Sequence, residues 1–283
     1  NDARVYLLSA SEYRQWEAPS LLKGHSDVVR AVSWSPCGRK VLTGGDDKKA
    51  IIWKASRSDP KSWEQFSELD QHSDAVRSVA WCPNADKATI ATGSEDSTII
   101  IWQPAKESGG DRRKFELVAI LRHTAGIRAL AWTTDGNHFA SGCKDATVRI
   151  WDCTQSDARS WPELSTLKMG NAASVDAVAW SPDGSRIATG GADAVVRVWA
   201  WKQRPPRPGI ELAGPAGPSV PIRSLCWSPD GAQLLIGSDR TARIWRAKNE
   251  QSEAVKEGTA KEVRAVVRAR LRHPSEEPRE PGV

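Results

Sequence analysis

Tryptophan recurs along this chain at a nearly constant interval. A first series closes the words AVSW, SVAW, ALAW, AVAW and SLCW, at Trp34, Trp81, Trp132, Trp180 and Trp227. A second series closes IIW, IIW, RIW, RVW and RIW, at Trp53, Trp102, Trp151, Trp199 and Trp245. Neighbours within a series lie 46 to 51 residues apart, and together the series hold ten of the 14 tryptophans. One structural unit is therefore repeated five times.

The text between the two tryptophans of a unit is repeated as well. After the first Trp comes a turn rich in Pro, Asp and Gly, then a short apolar run ending in small residues, then a β-branched run. An Asp stands six residues before the second Trp in every unit, at Asp47, Asp96, Asp145, Asp193 and Asp239. Turn signals every ~8–12 residues between short apolar runs indicate three or four strands per unit, so the predicted fold class is all-β.

These motifs resemble the WD40 repeat, whose unit is a four-stranded blade of a β-propeller. The resemblance covers roughly residues 5–246 and implies five recognisable blades plus a partial N-terminal one. We expect residues 1–22 to end a preceding blade or to close the ring, and residues 23–246 to form the propeller repeats. Residues 247–283 are expected to form a charged tail, with a short basic helix and then disorder. The partial first unit favours a piece of a longer, seven-bladed ring.

In the WD40 family a blade carries a hydrogen-bonded tetrad of His, Ser or Thr, Asp and Trp, which gives the buried indole and imidazole their partners. The first three units match it with His25, Thr43, Asp47, Trp53, His72, Thr92, Asp96, Trp102, His123, Ser141, Asp145 and Trp151. The fourth unit has Asn171 in place of His. The fifth has Pro218 there, and an apolar Leu235 or Ile236 in place of Ser or Thr. The resemblance implies structural roles for these residues.

The recurring His, Asp and Ser or Thr also permit a catalytic-triad hypothesis. A triad is one site defined by geometry, whereas these residues return with the period of the repeat. The chain has no G-x-S-x-G, H-E-x-x-H, Walker A or paired C-x-x-C motif. Cys143 and Cys153 lack the spacing of a zinc site. We therefore predict no catalytic residue, no metal, no cofactor and no enzymatic activity.

Arginine recurs four residues before the first Trp of four units, at Arg30, Arg77, Arg128 and Arg223, with Asp176 in the fourth unit. These positions are expected near the mouth of the propeller, where four guanidinium groups could hold carboxylates or phosphates. The residue before the turn Asp varies (Asp46, Glu95, Lys144), as on a surface suited to one partner. In the alternative, each Arg pairs with a nearby Asp, and Asp27 and Asp74 are placed to neutralise Arg30 and Arg77.

The resemblance implies a non-catalytic scaffold that organises a multiprotein complex through the loop face of the propeller, with acidic segments as partners. The AVSWSPCG and VRSVAW segments also resemble the WD40 scaffold of cytosolic iron–sulfur protein assembly. A regulatory domain of a larger enzyme and a nucleic-acid-associated protein are two further hypotheses, and the modest net charge of +5 argues against nucleic acid. No apolar run reaches the ~18–20 residues of a membrane span. Five scattered cysteines favour a reducing compartment, the cytoplasm or alternatively the nucleus.

Overall fold

A computed structural model describes residues 5–7, 20–56, 62–105, 115–170, 173–201, 207–213, 220–239, 241–246 and 258–259. For 5–7, 207–213 and 258–259 it describes the backbone alone. Within these ranges the regular structure consists of β-strands and one 3-10 turn, Ala158–Ser160. In the same ranges there is no helix long and apolar enough to cross a membrane.

The strands form five four-stranded antiparallel sheets, each connected in simple sequence order, and one separate pair. The pair is β1 (Val5–Leu7) with β2 (Ser20–Leu22). The first and second sheets are β3 (Val29–Trp34), β4 (Lys40–Gly45), β5 (Ala50–Ala55), β6 (Trp63–Leu69), and β7 (Val76–Trp81), β8 (Ile90–Ser94), β9 (Thr98–Pro104), β10 (Phe115–Arg122). The third is β11 (Ile127–Trp132), β12 (His138–Cys143), β13 (Thr147–Asp152), β14 (Glu163–Lys168). The fourth and fifth are β15 (Val175–Trp180), β16 (Arg186–Gly191), β17 (Val195–Ala200), β18 (Arg207–Ala213), and β19 (Ile222–Trp227), β20 (Gln233–Ser238), β21 (Thr241–Arg246), β22 (Gly258–Thr259).

The first strand of each sheet packs against the first strand of the next, from β3 through β7, β11 and β15 to β19. The five sheets are therefore arranged as successive blades with their first strands innermost. The prediction of an all-β fold with five recognisable four-stranded blades is confirmed.

The two hairpins of a blade adopt the turns that their residues favour. In four first hairpins a glycine, such as Gly184 in SPDG, has a φ between +64° and +69°, which a residue without Cβ adopts at no steric cost. In the second hairpin the turn Asp accepts a hydrogen bond from the backbone N–H two residues later, as Asp96 does from Thr98 at 2.9 Å. This Asx turn holds the intervening Ser97 at φ +68°.

Four hydrophobic cores lie between neighbouring blades, and a fifth packs residues of the first blade against Leu22 of β2. The core between the first and second blades joins Leu42 and Ile52 to Val76 and Trp81, and equivalent clusters join the second to the third, the third to the fourth and the fourth to the fifth. Ile244 of the fifth blade is 47% exposed, whereas the matching Ile52 is fully buried by the blade that follows it. Burial in this fold therefore depends on having a neighbouring blade.

A second ring packs edge-to-face on most tryptophans of the first series. The pairs, with centroid separations of 5.7 to 6.0 Å, are Trp34–Trp63, Trp81–Phe115, Trp132–Trp161 and Trp180–Trp201. Such T-shaped contacts add about 0.5–1.5 kcal/mol each beyond burial. Trp201, which has no clear register in the sequence, thus packs in the same way as Trp63 and Trp161, and Phe115 does so in the second blade.

The ends of the chain are described only in part. Residues 5–7 pair with 20–22, and β2 contacts β6 of the first blade. Gly258–Thr259, inside the segment predicted as a tail, pairs with β21 as a fourth strand of the fifth blade. The basic helix predicted within 261–272 lies outside the described residues, as do Asn171 and Pro218.

Candidate protein-interaction rim

The first two blades contain complete hydrogen-bonded tetrads. In the second, the Trp102 indole N–H donates to Thr92 Oγ1 at 2.9 Å, Thr92 Oγ1 lies 2.8 Å from His72 Nε2, and His72 Nδ1 lies 2.9 Å from an Asp96 oxygen. The first blade repeats this chain with separations of 2.7 to 3.0 Å among Trp53, Thr43, His25 and Asp47. A neutral imidazole protonated on Nδ1 satisfies every member, because Thr then donates to Nε2. The arrangement ties two strands, the turn between them and the loop before the innermost strand together.

The electrostatics of the second tetrad favour this neutral imidazole. Burial lowers the pKa of His72 and outweighs the opposing effect of Asp96. Burial alone would raise the pKa of Asp96, but hydrogen bonds from Thr98 and His72 lower it overall. A neutral imidazole held by an ionised carboxylate, with its other nitrogen on a buried hydroxyl, is an arrangement for stability.

The third blade departs from this pattern. Trp151 donates to Ser141 Oγ at 3.1 Å and His123 Nε2 lies 2.8 Å from the same oxygen. His123 Nδ1, however, is buried without a hydrogen-bond partner. Asp145 instead accepts hydrogen bonds from the hydroxyls of Thr124 and Thr147. The predicted contact between His123 and Asp145 is therefore not made.

Two positions beside the tetrad differ between the second and third blades. Ser94 in the second blade donates to the Asp74 carbonyl at 2.9 Å and accepts from Asp96 N at 3.1 Å. Cys143 holds the same position in the third blade, with 3.1 Å to the Ala125 carbonyl and 3.5 Å from Asp145 N. Thr124, which holds the position of Ser73, differs as well: its hydroxyl donates to Asp145, whereas Ser73 contacts Asp96 through its backbone N–H.

The missing His123–Asp145 contact has a clear electrostatic consequence. Burial and the nearby Arg149 lower the pKa of His123 to about 4. Burial also raises the pKa of Cys143 to about 11. Both groups are therefore neutral at neutral pH in this structure.

The tetrad positions are altered further in the last two blades. In the fourth, Trp199 donates to Thr189 Oγ1 at 2.9 Å, and Thr189 donates to Met169 Sδ at 3.5 Å. A buried thioether therefore stands where the sequence suggests Asn171. In the fifth, Ile236 pairs with Arg243 as Thr43 pairs with Ile51, so Ile236 holds the position of the missing hydroxyl.

The Asp assigned to the fifth tetrad, Asp239, has a different role. The connection from β20 to β21 is one residue shorter than that from β4 to β5, since Gly237 pairs with Ala242 and Gly44 with Ala50. Asp239 is consequently the residue directly after the second strand, the position of Asp46. It accepts a hydrogen bond from Arg223 at 3.1 Å, as Asp46 accepts from Arg30.

The recurring arginines occupy β-bulges at the start of the innermost strands. The register skips one residue between Val29 and Ala31, and the residue left over is Arg30. The same skip in the other blades leaves out Arg77, Arg128, Asp176 and Arg223. A bulge turns its extra side chain out of the ladder. These residues, together with Asp46, Glu95, Lys144 and Asp239 after the second strands, form what we call the rim.

Within the rim, charges pair between neighbouring blades. Arg30 Nε donates to Asp46 at 2.8 and 2.9 Å, and this bond lowers the pKa of Asp46. Arg77 contacts Asp46 at 3.1 Å and Glu95 at 2.9 Å. Asp27, predicted to neutralise Arg30, instead accepts from the backbone N–H of Val28. Asp74 likewise accepts from the N–H of Ala75. The short side chains of Asp27 and Asp74 accept hydrogen bonds within their own loops. The bulges direct Arg30 and Arg77 toward the acidic residues that follow the second strands.

Positive charge is in excess around Glu95. Three cations contact this one carboxylate, namely Arg77 at 2.9 Å, Arg128 at 3.2 Å and Lys144 at 2.6 Å. The Glu95 side chain is only 9% exposed, whereas those of Arg128 and Lys144 are 30% and 40% exposed. Glu95 lies directly on Gly126, where a Cβ would collide with its carboxylate. Arg128 Nε is buried without a hydrogen-bond partner.

The rim of the last two blades has the opposite balance. Arg223 is held between two acids, with Asp176 at 2.9 Å and Asp239 at 3.1 Å. The second and third blades therefore present unmatched cations to solvent, and the fourth and fifth do not, within the part of the chain that the structure describes. The sequence showed the cations but not this asymmetry, because pairing across blades depends on the bulges.

Comparison with known proteins agrees with the architecture. Residues 16–54, 63–103, 115–152, 161–200 and 211–246 match the family model described as WD domain, G-beta repeat. The chain is similar to nuclear distribution protein PAC1 of Arthroderma otae, with 28% identity over 150 residues, 47% of this chain and 31% of the relative. It is also similar to mouse F-box-like/WD repeat-containing protein TBL1X, with 27% identity over 50% of this chain and 26% of the relative. A component of mouse chromatin assembly factor 1 shows 27% identity over 48% of this chain and 18% of the relative.

These matches leave most of each relative unaligned, since the chain spans about a third or less of their length. The five repeats, by contrast, extend over most of the described chain, and each is offset from a blade by one strand, as 63–103 runs from the last strand of the first blade, β6, to the third strand of the second, β9. The chain belongs to the WD40 family of G-beta repeat proteins.

Proposed function

We propose that this chain is a non-catalytic interaction scaffold that binds an acidic segment of a partner protein on the rim of its second and third blades. The observation that carries the proposal is the excess of cations around Glu95. Two of them, Arg128 and Lys144, are exposed enough to contact a partner while remaining anchored to a buried carboxylate.

Anchoring matters because it lowers the entropic cost of binding. A free lysine or arginine loses rotamer freedom when it binds an anion, whereas side chains already held on one carboxylate lose less. The Arg128 side chain is 30% exposed, so part of its guanidinium group can contact a partner carboxylate. An arginine presents a planar fork that suits carboxylate oxygens.

The tetrads support a scaffold over an enzyme. His25 and His72 are held between a hydroxyl and a carboxylate, and Trp donates to that same hydroxyl. These hydroxyls are fully buried, and their hydrogen bonds are already made. The groups that resemble a triad are therefore used to join strands.

The proposal is tested with a fluorescent octa-glutamate peptide as the probe, measured by anisotropy against the full chain. Arg128→Ala combined with Lys144→Ala is expected to weaken binding about tenfold, because each exposed ion pair contributes up to about 1 kcal/mol. Arg223→Ala is the matched control, since its charge is already balanced, and it is expected to change affinity less than about twofold. Equal losses in both variants, or no binding of the peptide, would contradict the proposal.

Nucleic acid is the competing anion. A single-stranded DNA octamer in the same assay should bind more weakly than octa-glutamate, because the described rim offers ion pairs but no exposed aromatic platform for bases. Tighter binding of DNA with a steep salt dependence would favour the nucleic-acid hypothesis. The roles in iron–sulfur assembly and in enzyme regulation stay predictions from the sequence.

The names of the relatives refer to nuclear distribution and to chromatin assembly. We therefore propose the nucleus beside the cytoplasm as a compartment in which the chain works. Fluorescence imaging of a tagged full chain is the measurement that decides between them.

A further inference from the structure

Three different metal-ligating groups meet in the third blade. A ring nitrogen of His123, the Cys143 sulfur and an Asp145 oxygen all lie within 4.8 Å of one another. His123 is 8% exposed, its Nε2 is used by Ser141, and its buried Nδ1 has no hydrogen-bond partner. A buried polar atom without a partner costs about 1–3 kcal/mol, so its presence calls for a ligand. We propose that His123, Cys143 and Asp145 bind a zinc-class divalent ion.

The first blade shows where a side chain at the Cys143 position is directed. Gly45 holds that position there, and a Cβ built on it would lie 2.9 Å from His25 Nδ1 and 2.8 Å from Asp47 Oδ1. The position therefore faces the space between the imidazole and the carboxylate. Among the five blades its occupants are Gly45, Ser94, Cys143, Gly191 and Ser238. The third blade is thus the one in which this position supplies a sulfur.

The donor set suits zinc. Thiolate, imidazole and carboxylate are its usual ligands, at about 2.3, 2.0 and 2.1 Å, which places donor atoms of a tetrahedral site about 3.5 Å apart. Because the ligand atoms lie within 4.8 Å of one another, they need to approach by about 1.3 Å at most.

Charge and access are also compatible with an ion. The thiol releases its proton to solvent on binding, and the resulting thiolate and the Asp145 carboxylate balance a 2+ charge. Thr124, whose hydroxyl donates to Asp145, is exposed, so the site lies near the surface. The positive charge of Arg149 near His123 opposes a bound cation, but Arg149 forms an ion pair with Glu163 at 3.5 Å that offsets this charge.

The test is a cobalt(II) titration of the full chain, followed by the thiolate-to-metal charge-transfer absorption that cobalt shows when bound through sulfur. We expect one equivalent to bind. Cys143→Ser, which installs the residue of the second blade, is expected to abolish the band, and Cys37→Ser, at an exposed cysteine, is expected to retain it. Absence of the band in the unchanged chain, or its persistence in Cys143→Ser, would overturn the proposal.

Thermal unfolding gives a second and independent measurement. Because the ion binds only the folded chain, zinc at about 100 times its dissociation constant should raise the melting temperature of the unchanged chain. Asp145→Asn keeps an oxygen but removes the charge, and should weaken the apparent affinity for zinc at least about tenfold. An equal zinc-induced shift in the unchanged chain and in Asp145→Asn would contradict the site.

Discussion

The second and third blades have the same strand order, and their tetrads differ only in that Ser141 replaces Thr92, yet only the second blade closes its tetrad. Ser94 and Cys143 mark the difference, because they hold the same position and contact the same two backbone groups. With Ser94, His72 Nδ1 lies 2.9 Å from Asp96; with Cys143, His123 Nδ1 has no hydrogen-bond partner. The second blade therefore has a closed hydrogen-bond network, whereas the third, with Cys143 at this position and the Thr124 hydroxyl on Asp145, leaves a ring nitrogen available to a ligand.

The largest expected effect comes from removing the imidazole in each blade. His72→Leu leaves Thr92 and Asp96 without their partner, so the free energy of unfolding should fall by about 2–6 kcal/mol. His123→Leu removes one hydrogen bond together with a buried nitrogen that had none, and should cost about 1 kcal/mol or less. Urea unfolding of both variants measures the difference. Equal costs would mean that the two tetrads are equally closed.

Acid should destabilise the third blade through His123 in metal-free buffer. Its folded pKa is about 4, below the unfolded value near 6.5, so the unfolded chain binds an extra proton between these values. The stability from the neutral imidazole is present above about pH 6.5 and is lost as pH falls toward 4, by about 3 kcal/mol in total. Unfolding curves from pH 7 to pH 4 for the unchanged chain and His123→Leu test this, since the variant should lose less stability. Parallel curves would contradict the assignment.

Exchange of the two residues should move the effect from one blade to the other. In metal-free buffer, Cys143→Ser is expected to let Asp145 reach His123 and to stabilise the chain by about 1 kcal/mol. Ser94→Cys is expected to separate His72 from Asp96 and to destabilise it by a similar amount. Thermal unfolding with chelator present measures both. If both variants shift the melting temperature in the same direction, the larger size of sulfur does not explain the missing His123–Asp145 contact.

The smallest expected effect is at the rim. Lys144→Ala removes an exposed ion pair to Glu95 and should change the free energy of unfolding by less than about 0.5 kcal/mol. Its effect on octa-glutamate binding should be several-fold, as expected for a residue that acts in binding and not in folding. A loss of stability above about 1 kcal/mol would place Lys144 in the structural framework instead.

The repeated residues made the fold accessible from the sequence. The tryptophans of the second series lie on buried strands. Their indole N–H groups need a hydroxyl acceptor such as Thr92 or Ser141, so the spacing of the tryptophans and their hydrogen-bonding requirement predict the same blade. The sequence did not show that Phe115 replaces a tryptophan, because aromatic packing tolerates exchange of ring type. It also suggested that Asp239 is equivalent to Asp47. The β20–β21 turn is one residue shorter than the β4–β5 turn, so a residue at the position of Asp46 lies six residues before Trp245, the same separation as that of Asp47 from Trp53.

The binding features were less accessible, since they depend on contacts between distant residues. The partners of Arg30 and Arg77 proved to be Asp46 and Glu95, which the bulges bring near. Sequence rules for zinc sites compare cysteines and histidines that are close together in the chain. These rules exclude a zinc site formed by Cys143 with Cys153, and they do not consider a cysteine 20 residues after His123. A strand and its returning neighbour bring that pair together.

Hydrogen–deuterium exchange of the full chain with and without octa-glutamate is the most direct test of the claim that the repeated residues build the blades while the unmatched cations of the second and third blades bind the partner. The account predicts slower exchange in the segments leading into β7 and β11 and in the connection from β12 to β13, with no change across β19 to β21. Protection centred on the fifth blade, or on the outer strands β6 and β10, would contradict it.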